Sequence, residues 1–163
     1  MDESSLLLRQ IPHSIEAEQS VLGAMLIDAR CIPDVVEALT GEDFYLKANR
    51  EIYETIYTMF NFSATIDPVT VLDQMKLTGV YDENTSRSYV LQLMEITPTA
   101  ANVKEYIRIV KDKALLRRIA ETAGELTTLV QEGGETAQAV LDLAEQRVYA
   151  IRQGRSAQGL EPL

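Results

Sequence analysis

Residues 95–110 read EITPTAANVKEYIRIV, and this stretch decides the fold. Thr97-Pro98 breaks the preceding pattern, and Thr99 is a residue type that caps helices. Apolar residues then recur in steps of four and three, with one step of five, at Val103, Ile107, Val110, Ala114, Ile119, Ala123, Leu126 and Val130. This periodicity predicts one long helix. It should begin at Thr99 and end at the paired glycines Gly133-Gly134.

A second helical pattern follows the paired glycines and runs from about Thr136 to Gln153. Two helices joined by so short a connection form an αα-hairpin. The chain around the hairpin is too short to cover its whole apolar face, so the pattern also predicts self-association. We expect that contact to involve Val140, Leu141, Ala144, Val148 and Ile151. Beyond Gly154 the sequence RSAQGLEPL has no periodicity, and a linker is predicted to begin there.

The residues before Thr99 predict five short helices and no strand, because their apolar residues also recur at three and four. The expected helix starts are Ser14, Pro33, Asn49, Asp67-Pro68 and Thr85 or Ser86. The predicted fold is therefore all-α, with a compact head of about five short helices and a protruding hairpin of a long and a shorter helix. The expected boundaries are an arm at 1–13, the head at 14–98, the hairpin at 99–153 and the linker at 154–163.

Charge is distributed unevenly along the 163 residues, which carry a net charge of −10. Residues 1–98 contain 16 acidic and 6 basic residues, whereas residues 99–163 contain nine of each. Nucleic-acid binding depends on Lys and Arg at phosphates, so the head should not bind DNA or RNA. Its acidity serves either solubility or the docking of a basic partner. Without a signal peptide or a long apolar stretch, we expect a cytoplasmic protein and no membrane contact.

No catalytic constellation is apparent. The single histidine, His13, lies in a loop, and the acidic pairs Glu16/Glu18 and Glu51/Glu54 lack the Glu-x-x-His pattern of carboxylate metal centres. There is no phosphate-binding G-x-x-x-x-G-K-[ST] loop. We therefore expect no metal, no cofactor and no hydrolytic activity in this chain. A basic stripe is formed by Lys104, Arg108, Lys111 and Arg118. It fits a solvated face with local ion pairs, or an acidic protein neighbour, better than DNA.

Two stretches together resemble a known family: IPHSIEAEQSVLGAMLID (11–28) and PTAANVKEYIRIVKDKALLRRI (98–119). Between them EDFY (42–45), NREIYETIY (49–57) and IDPVTVLDQMKLTG (66–79) fit as well. In this order they resemble the N-terminal domain of bacterial replicative DNA helicases of the DnaB family. The resemblance runs from Ile11 to about Arg152 and weakens after Gly133.

The resemblance implies a collar domain of a ring-shaped hexamer, built as a trimer of dimers in which hairpins pair protomers. It implies that ATP and magnesium are used by a RecA-like motor domain beyond the linker, which unwinds DNA at the replication fork. It also implies docking of a DnaG-type primase, and of a helicase loader in some bacteria. The positions that it assigns to docking are Glu16, Tyr89, Arg117 and Leu126. For the Tyr89 side chain, two alternatives remain open: an exposed contact with a partner, or burial in the core of the head.

Three other interpretations remain open from the sequence. A helicase-binding C-terminal domain of a primase resembles this fold. A generic helical adaptor would share the composition and the hairpin. An all-α enzyme is disfavoured by the absence of a catalytic constellation. SIEAEQSVLGAML and PTAANV favour the helicase over the primase domain.

Overall fold

The structure, a computed structural model, describes the backbone of residues 11–159 and the side chains of residues 11–154. This part of the chain contains helices and no strand, which confirms the predicted all-α fold. Short 3₁₀ turns lie at Ala29–Cys31 and Gly41–Asp43. The α-helices are α1 Ile15–Ile27, α2 Ile32–Ala38, α3 Lys47–Asn61, α4 Pro68–Leu77, α5 Ser86–Glu95, α6 Val103–Glu132 and α7 Ala137–Gly159.

The chain divides into two compact units inside α6, between Lys111 and Asp112. We call residues 14–111 the head, and the second unit contains the hairpin of α6 and α7 from Asp112 onward. The first turns of α6 belong to the head because Val103, Ile107 and Val110 are part of its core. The head therefore extends beyond the predicted range of 14–98. Of the predicted arm, only residues 11–13 are among the described residues.

The core of the head is built around α1, which packs on α5, α3 and α2. Val21, Leu22 and Met25 of α1 are completely buried. Each such side chain contributes roughly 1.5–3 kcal/mol relative to an exposed position. Gly23 lets α1 approach α5 closely, because a Cβ at this position would lie 2.5 Å from the carbonyl oxygen of Leu93. The α1–α5 contact thus needs a glycine on α1.

Local sequence signals determine several helix ends, and those at Ser14, Asp67 and Gly133 were predicted. Ser14 caps α1, its Oγ accepting a hydrogen bond from the N–H of Ala17 at 3.2 Å. Asp67 caps α4, its Oδ1 accepting from the N–H of Thr70 at 2.9 Å. Gly79, with φ +80°, and Gly133, with φ +68°, adopt the left-handed conformation that commonly ends helices. These ends follow from capping side chains or glycine backbone conformations next to each helix.

Three predicted features differ from the structure. Thr99 does not cap the long helix, which begins at Val103; its Oγ1 instead accepts from the N–H of Ala101 in a local turn. Asn49 lies inside α3, whose N-cap is Leu46. The linker does not begin at Gly154, because α7 continues to Gly159. One glycine costs a helix only about 1 kcal/mol, so the good helix formers around it can continue the helix.

The hairpin differs from the head in having very few buried side chains. Between Leu115 and Gly154 no side chain is buried. Thr136 caps α7 through a hydrogen bond from the N–H of Ala139, and Arg147 pairs with Glu125 across the two helices at 2.9 Å. Exposed ion pairs of this kind contribute at most about 1 kcal/mol. The ion pair and the cap therefore stabilise the hairpin less than burial of its apolar face would.

None of the helices in the described part of the chain is long and apolar enough to cross a lipid bilayer.

Candidate docking surfaces

A buried carboxylate joins α1 to the start of α3. Glu18 is 1% exposed, and its Oε2 accepts a hydrogen bond from the backbone N–H of Tyr45 at 2.7 Å. Its Oε1 accepts from the side-chain amide of Asn49 at 2.9 Å and, over a longer distance of 3.4 Å, from the N–H of Leu46. Leu46 is the N-cap of α3 and has no side-chain acceptor of its own. Glu18 therefore supplies from α1 the negative charge that favours a helix N-terminus.

Asn49 extends this network to α5. Its side-chain oxygen accepts a hydrogen bond from the hydroxyl of Tyr89, and the same hydroxyl accepts from the Nε2 of Gln19 at 3.2 Å. Tyr89 is thus held by α1 and α3 together. Burial raises the pKa of the Tyr89 hydroxyl, while its hydrogen bonds to Gln19 and Asn49 act in the opposite direction. The residues Glu18, Gln19, Asn49 and Tyr89 form what we call the polar network of the head.

The hydrogen bonds of Glu18 and Asn49 in this network were not predicted, although the sequence contains a signal for them. Glu18 precedes the buried Leu22 by four residues and Met25 by seven, which places it on the apolar face of α1. Asn49 bears the same relation to Tyr53 and Ile56 on α3. A polar residue in an apolar stripe indicates a buried hydrogen-bonded group. Both residues instead look like ordinary helix-start residues when only the local chain is considered.

The two head residues assigned to docking lie on α1 and α5, which pack against each other. Glu16 is exposed in the first turn of α1, and Tyr89 is half-buried on α5. Gln19, one helical turn after Glu16, donates the hydrogen bond to Tyr89. Tyr89 therefore combines the two readings left open by the sequence: its hydroxyl belongs to the polar network, and part of its side chain is accessible. Exposed Glu16 and partly accessible Tyr89 can contribute to one surface.

A groove of about 430 Å³ opens beside Tyr89, between α3, α4 and α5. Ile52 and Met75 supply apolar walls, and Glu51 and Asp82 supply the acidic groups. We call it the head groove.

The other two residues assigned to docking lie on the hairpin part of α6. Arg117 donates a hydrogen bond from Nη1 to the carbonyl oxygen of Pro12 at 2.9 Å, which ties the segment before α1 to α6. Leu126 is half-buried and lines a groove of about 480 Å³ between α6 and α7. Its walls are mainly apolar and include Ile119, Val148 and Ile151. We call it the hairpin groove.

The five residues predicted for self-association do not share one environment. Leu141 is 52% exposed and Val148 54% exposed, whereas Val140, Ala144 and Ile151 are partly buried. Val148 and Ile151 line the hairpin groove, and Val140 lines a separate shallow depression near Leu129. Leu116, Ile119, Val130 and Tyr149 are also exposed apolar side chains of the hairpin. The hairpin thus presents more apolar surface than those five positions.

The basic stripe carries a local ion pair, as its solvated-face interpretation expects. Arg108 pairs with Glu105 one turn earlier on α6, and the interaction lowers the pKa of the Glu105 carboxyl.

His13 lies in the loop before α1, with Nδ1 2.8 Å from the carbonyl oxygen of Ile11. In the part of the chain with described side chains, no three His, Cys, Asp or Glu residues are grouped as metal ligands.

Comparison with known proteins gives a consistent match. The model of the DnaB-like helicase N-terminal domain matches residues 10–112. The replicative DNA helicase DnaB of Leifsonia xyli is 34% identical over 158 residues, which cover 95% of this chain and 34% of that protein. The Geobacillus stearothermophilus DnaB is 35% identical over 145 residues, or 87% of this chain and 31% of the relative. The chain thus spans about a third of the length of these helicases.

Solved structures agree with the sequence relatives. The N-terminal domain of DnaB from Mycobacterium tuberculosis superposes with a TM-score of 0.81 at 35% identity, covering 86% of this chain and 99% of that domain. The corresponding Helicobacter pylori domain, at 18% identity and a TM-score of 0.62, shares the fold. The family match covers more than half of the chain, and the arrangement of helices agrees with it. This chain belongs to the family of DnaB-like helicase N-terminal domains.

Proposed function

We propose that this chain is the collar of a replicative DNA helicase, where it assembles protomers and docks partner proteins. The matched relatives are replicative helicases about three times as long, which leaves room for an ATP- and magnesium-dependent motor domain. DNA unwinding and ATP hydrolysis would belong to that part of the protein, at the replication fork in the cytoplasm. The family match favours this function over the primase-domain and adaptor alternatives.

The observation that carries the assembly role is the hairpin without a core. From Leu115 to Gly154 no side chain is buried, although apolar residues are exposed on both helices. Burying a large apolar side chain contributes roughly 1.5–3 kcal/mol, so a second hairpin seated on this face would stabilise both copies. We propose that hairpins pair through the hairpin groove and the exposed residues beside it, which include Leu141 and Val148.

Light scattering at a series of protein concentrations tests this role. The chain should form dimers or larger assemblies that dissociate on dilution. Leu141→Glu combined with Val148→Glu should give a monomer, because each change sets a charge in the contact. Both side chains are about half exposed, so the hairpin should still fold, and circular dichroism checks that it does. Val69→Glu, at a 76% exposed position of the head, is the matched control. A monomer at every concentration, or full assembly of the double variant, contradicts the proposal.

Docking of primase is the second part of the proposal. The Helicobacter pylori domain that shares this fold was described together with its interactions with primase. In this chain Glu16 and Tyr89 would contribute a charge and an aromatic contact on the head, and Arg117 and Leu126 would contribute from the hairpin. A helicase loader is proposed as a further partner of the same domain. No direct contact with nucleic acid is proposed, since the acidic head would repel phosphates.

Titration of the cognate primase C-terminal domain tests the docking role. Glu16→Gln should weaken binding a few-fold and reduce its dependence on salt, as expected for an exposed charge at the edge of an interface. Glu37→Gln removes the same charge from an exposed position on α2 and serves as the control. Equal binding by all three proteins would remove Glu16 from the docking surface. No binding by the unaltered chain would refute primase docking.

A further inference from the structure

The head groove beside Tyr89 combines an apolar floor with acidic groups. Ile52 and Met75 are 2% and 3% exposed, so only the edges of these core side chains reach the groove. Val80 adds a third apolar side chain. This lining suits a long aliphatic side chain better than a small polar solute.

The charged groups that line the groove are both acidic. Glu51 is on α3 and Asp82 is in the loop before α5, and no lysine or arginine is among the described lining residues. Neither carboxylate forms an ion pair among the residues whose side chains are described. The neighbouring Lys76 lies over the ring of Tyr81, 4.8 Å from its centre. The groove therefore offers two carboxylates without an internal cation.

The walls of the groove are held in place before any partner arrives. The hydroxyl of Tyr89 is fixed by Asn49 and Gln19 in the polar network. The backbone N–H of Asp82 donates to the Oγ of Ser86 at 2.8 Å, which fixes the loop at the start of α5. A site whose walls are already ordered loses less entropy on binding. Two parts of the lining, Tyr89 and the backbone at Asp82, are thus held by hydrogen bonds within the head.

We propose that the head groove binds a lysine or arginine side chain of the primase domain that docks beside Tyr89. Its aliphatic stem would lie against Val80 and the accessible edges of Ile52 and Met75, and its cationic end would lie near Glu51 and Asp82. The apolar lining and the acidic groups match the two parts of such a side chain. This inference rests on the proposed primase docking and adds the chemistry by which the head recognises its partner.

The competing explanation is the general field of the head, in which residues 1–98 carry ten more acidic than basic residues. Such a field attracts any basic protein and speeds its association, whatever the position of the individual acids. A local groove and a general field differ in one respect. Only the groove makes affinity depend on which two acids are neutralised.

The experiment titrates the cognate primase C-terminal domain against three proteins. The groove variant carries Glu51→Gln and Asp82→Asn, which keep side-chain size and an oxygen for the hydrogen bond from the N–H of Asn84 to Asp82. The control variant carries Glu37→Gln and Glu83→Gln, which remove the same charge from exposed positions outside the groove lining. Denaturation curves of all three confirm equal folding.

The groove variant should bind about tenfold more weakly, because two partly exposed ion pairs each contribute a factor of a few. The control should bind as the unaltered chain does. Equal affinity of the two variants, whether weakened or not, would overturn the groove as a cation site while leaving primase docking intact. If the unaltered chain itself fails to bind the primase domain, the proposed docking fails and this inference falls with it.

Discussion

Replacing Glu18 by Gln should destabilise the head although the two side chains have nearly the same shape. Each carboxylate oxygen of Glu18 faces a hydrogen-bond donor: the N–H of Tyr45 on one side, and the amide of Asn49 with the N–H of Leu46 on the other. A glutamine presents one NH₂ group in either orientation, so one donor would face another donor. Removing the charge also weakens the favourable interaction with the N-terminus of α3.

The expected cost is about 2–3 kcal/mol, because a buried donor left without an acceptor costs about 1–3 kcal/mol and the charge effect adds a smaller contribution. With a urea dependence of roughly 1–3 kcal/mol per M for a domain of this size, the midpoint should fall by about 1 M or more. Six of the seven tyrosines lie in residues 14–111, so tyrosine fluorescence reports mainly the unfolding of the head.

Glu16→Gln is the control for this measurement, since Glu16 is exposed in the same turn of α1 and should change the free energy of unfolding by only a few tenths of a kcal/mol. If Glu18→Gln has the same midpoint as Glu16→Gln, then the carboxylate of Glu18 is not the acceptor that stabilises the start of α3. The hydrogen bonds of Glu18 would then have no measurable role in stability.

Other substitutions test single contacts. Gly23→Ala should destabilise the head by about 1–3 kcal/mol, because the new Cβ would lie 2.0 Å from the Oγ1 of Thr97 and α1 would be forced away from α5; an unchanged urea midpoint would contradict this close packing. Gly124→Ala should instead stabilise the hairpin by about 0.5–1 kcal/mol, since nothing lies within 4 Å of its Cβ position and alanine favours the helix; thermal melting followed by circular dichroism measures the change. Cys31 should react slowly with a thiol reagent at pH 8, because burial raises its pKa to about 11 and little thiolate is present. Urea should restore fast labelling, and rapid labelling of the native chain would argue against a buried thiol.

The sequence predicts those parts of the fold that local chemistry determines. Ser14, Asp67 and Gly133 mark helix ends through their own side chains or backbone preferences, and all three do so in the structure. The predicted start of α3 at Asn49 was wrong because Leu46 is the N-cap, and the Asn49 side chain donates to Glu18, 31 residues earlier in the chain, instead of capping the helix. A local pattern cannot reveal an acceptor that only tertiary packing brings to the helix.

In the candidate site, too, local sequence patterns could not reveal features that only tertiary packing creates. The resemblance singled out Glu16 and Tyr89, and Gln19, one turn after Glu16, donates a hydrogen bond to the hydroxyl of Tyr89. The groove beside Tyr89 was not predicted, because its lining comes from three helices and a loop that are separated in the sequence. Its acids, Glu51 and Asp82, look like ordinary solvated residues until their positions are known.

The single helix α6 has a consequence for the dynamics of the chain. Its first turns are anchored in a core, at Val103, Ile107 and Val110, whereas no side chain beyond Ala114 in this helix is buried. Backbone amides near Val110 should therefore exchange with solvent only when the head unfolds, while those near Val130 can exchange through local opening. If hairpins pair, protection near Val130 should rise with protein concentration and protection near Val110 should not. One continuous helix would then report folding at one end and association at the other.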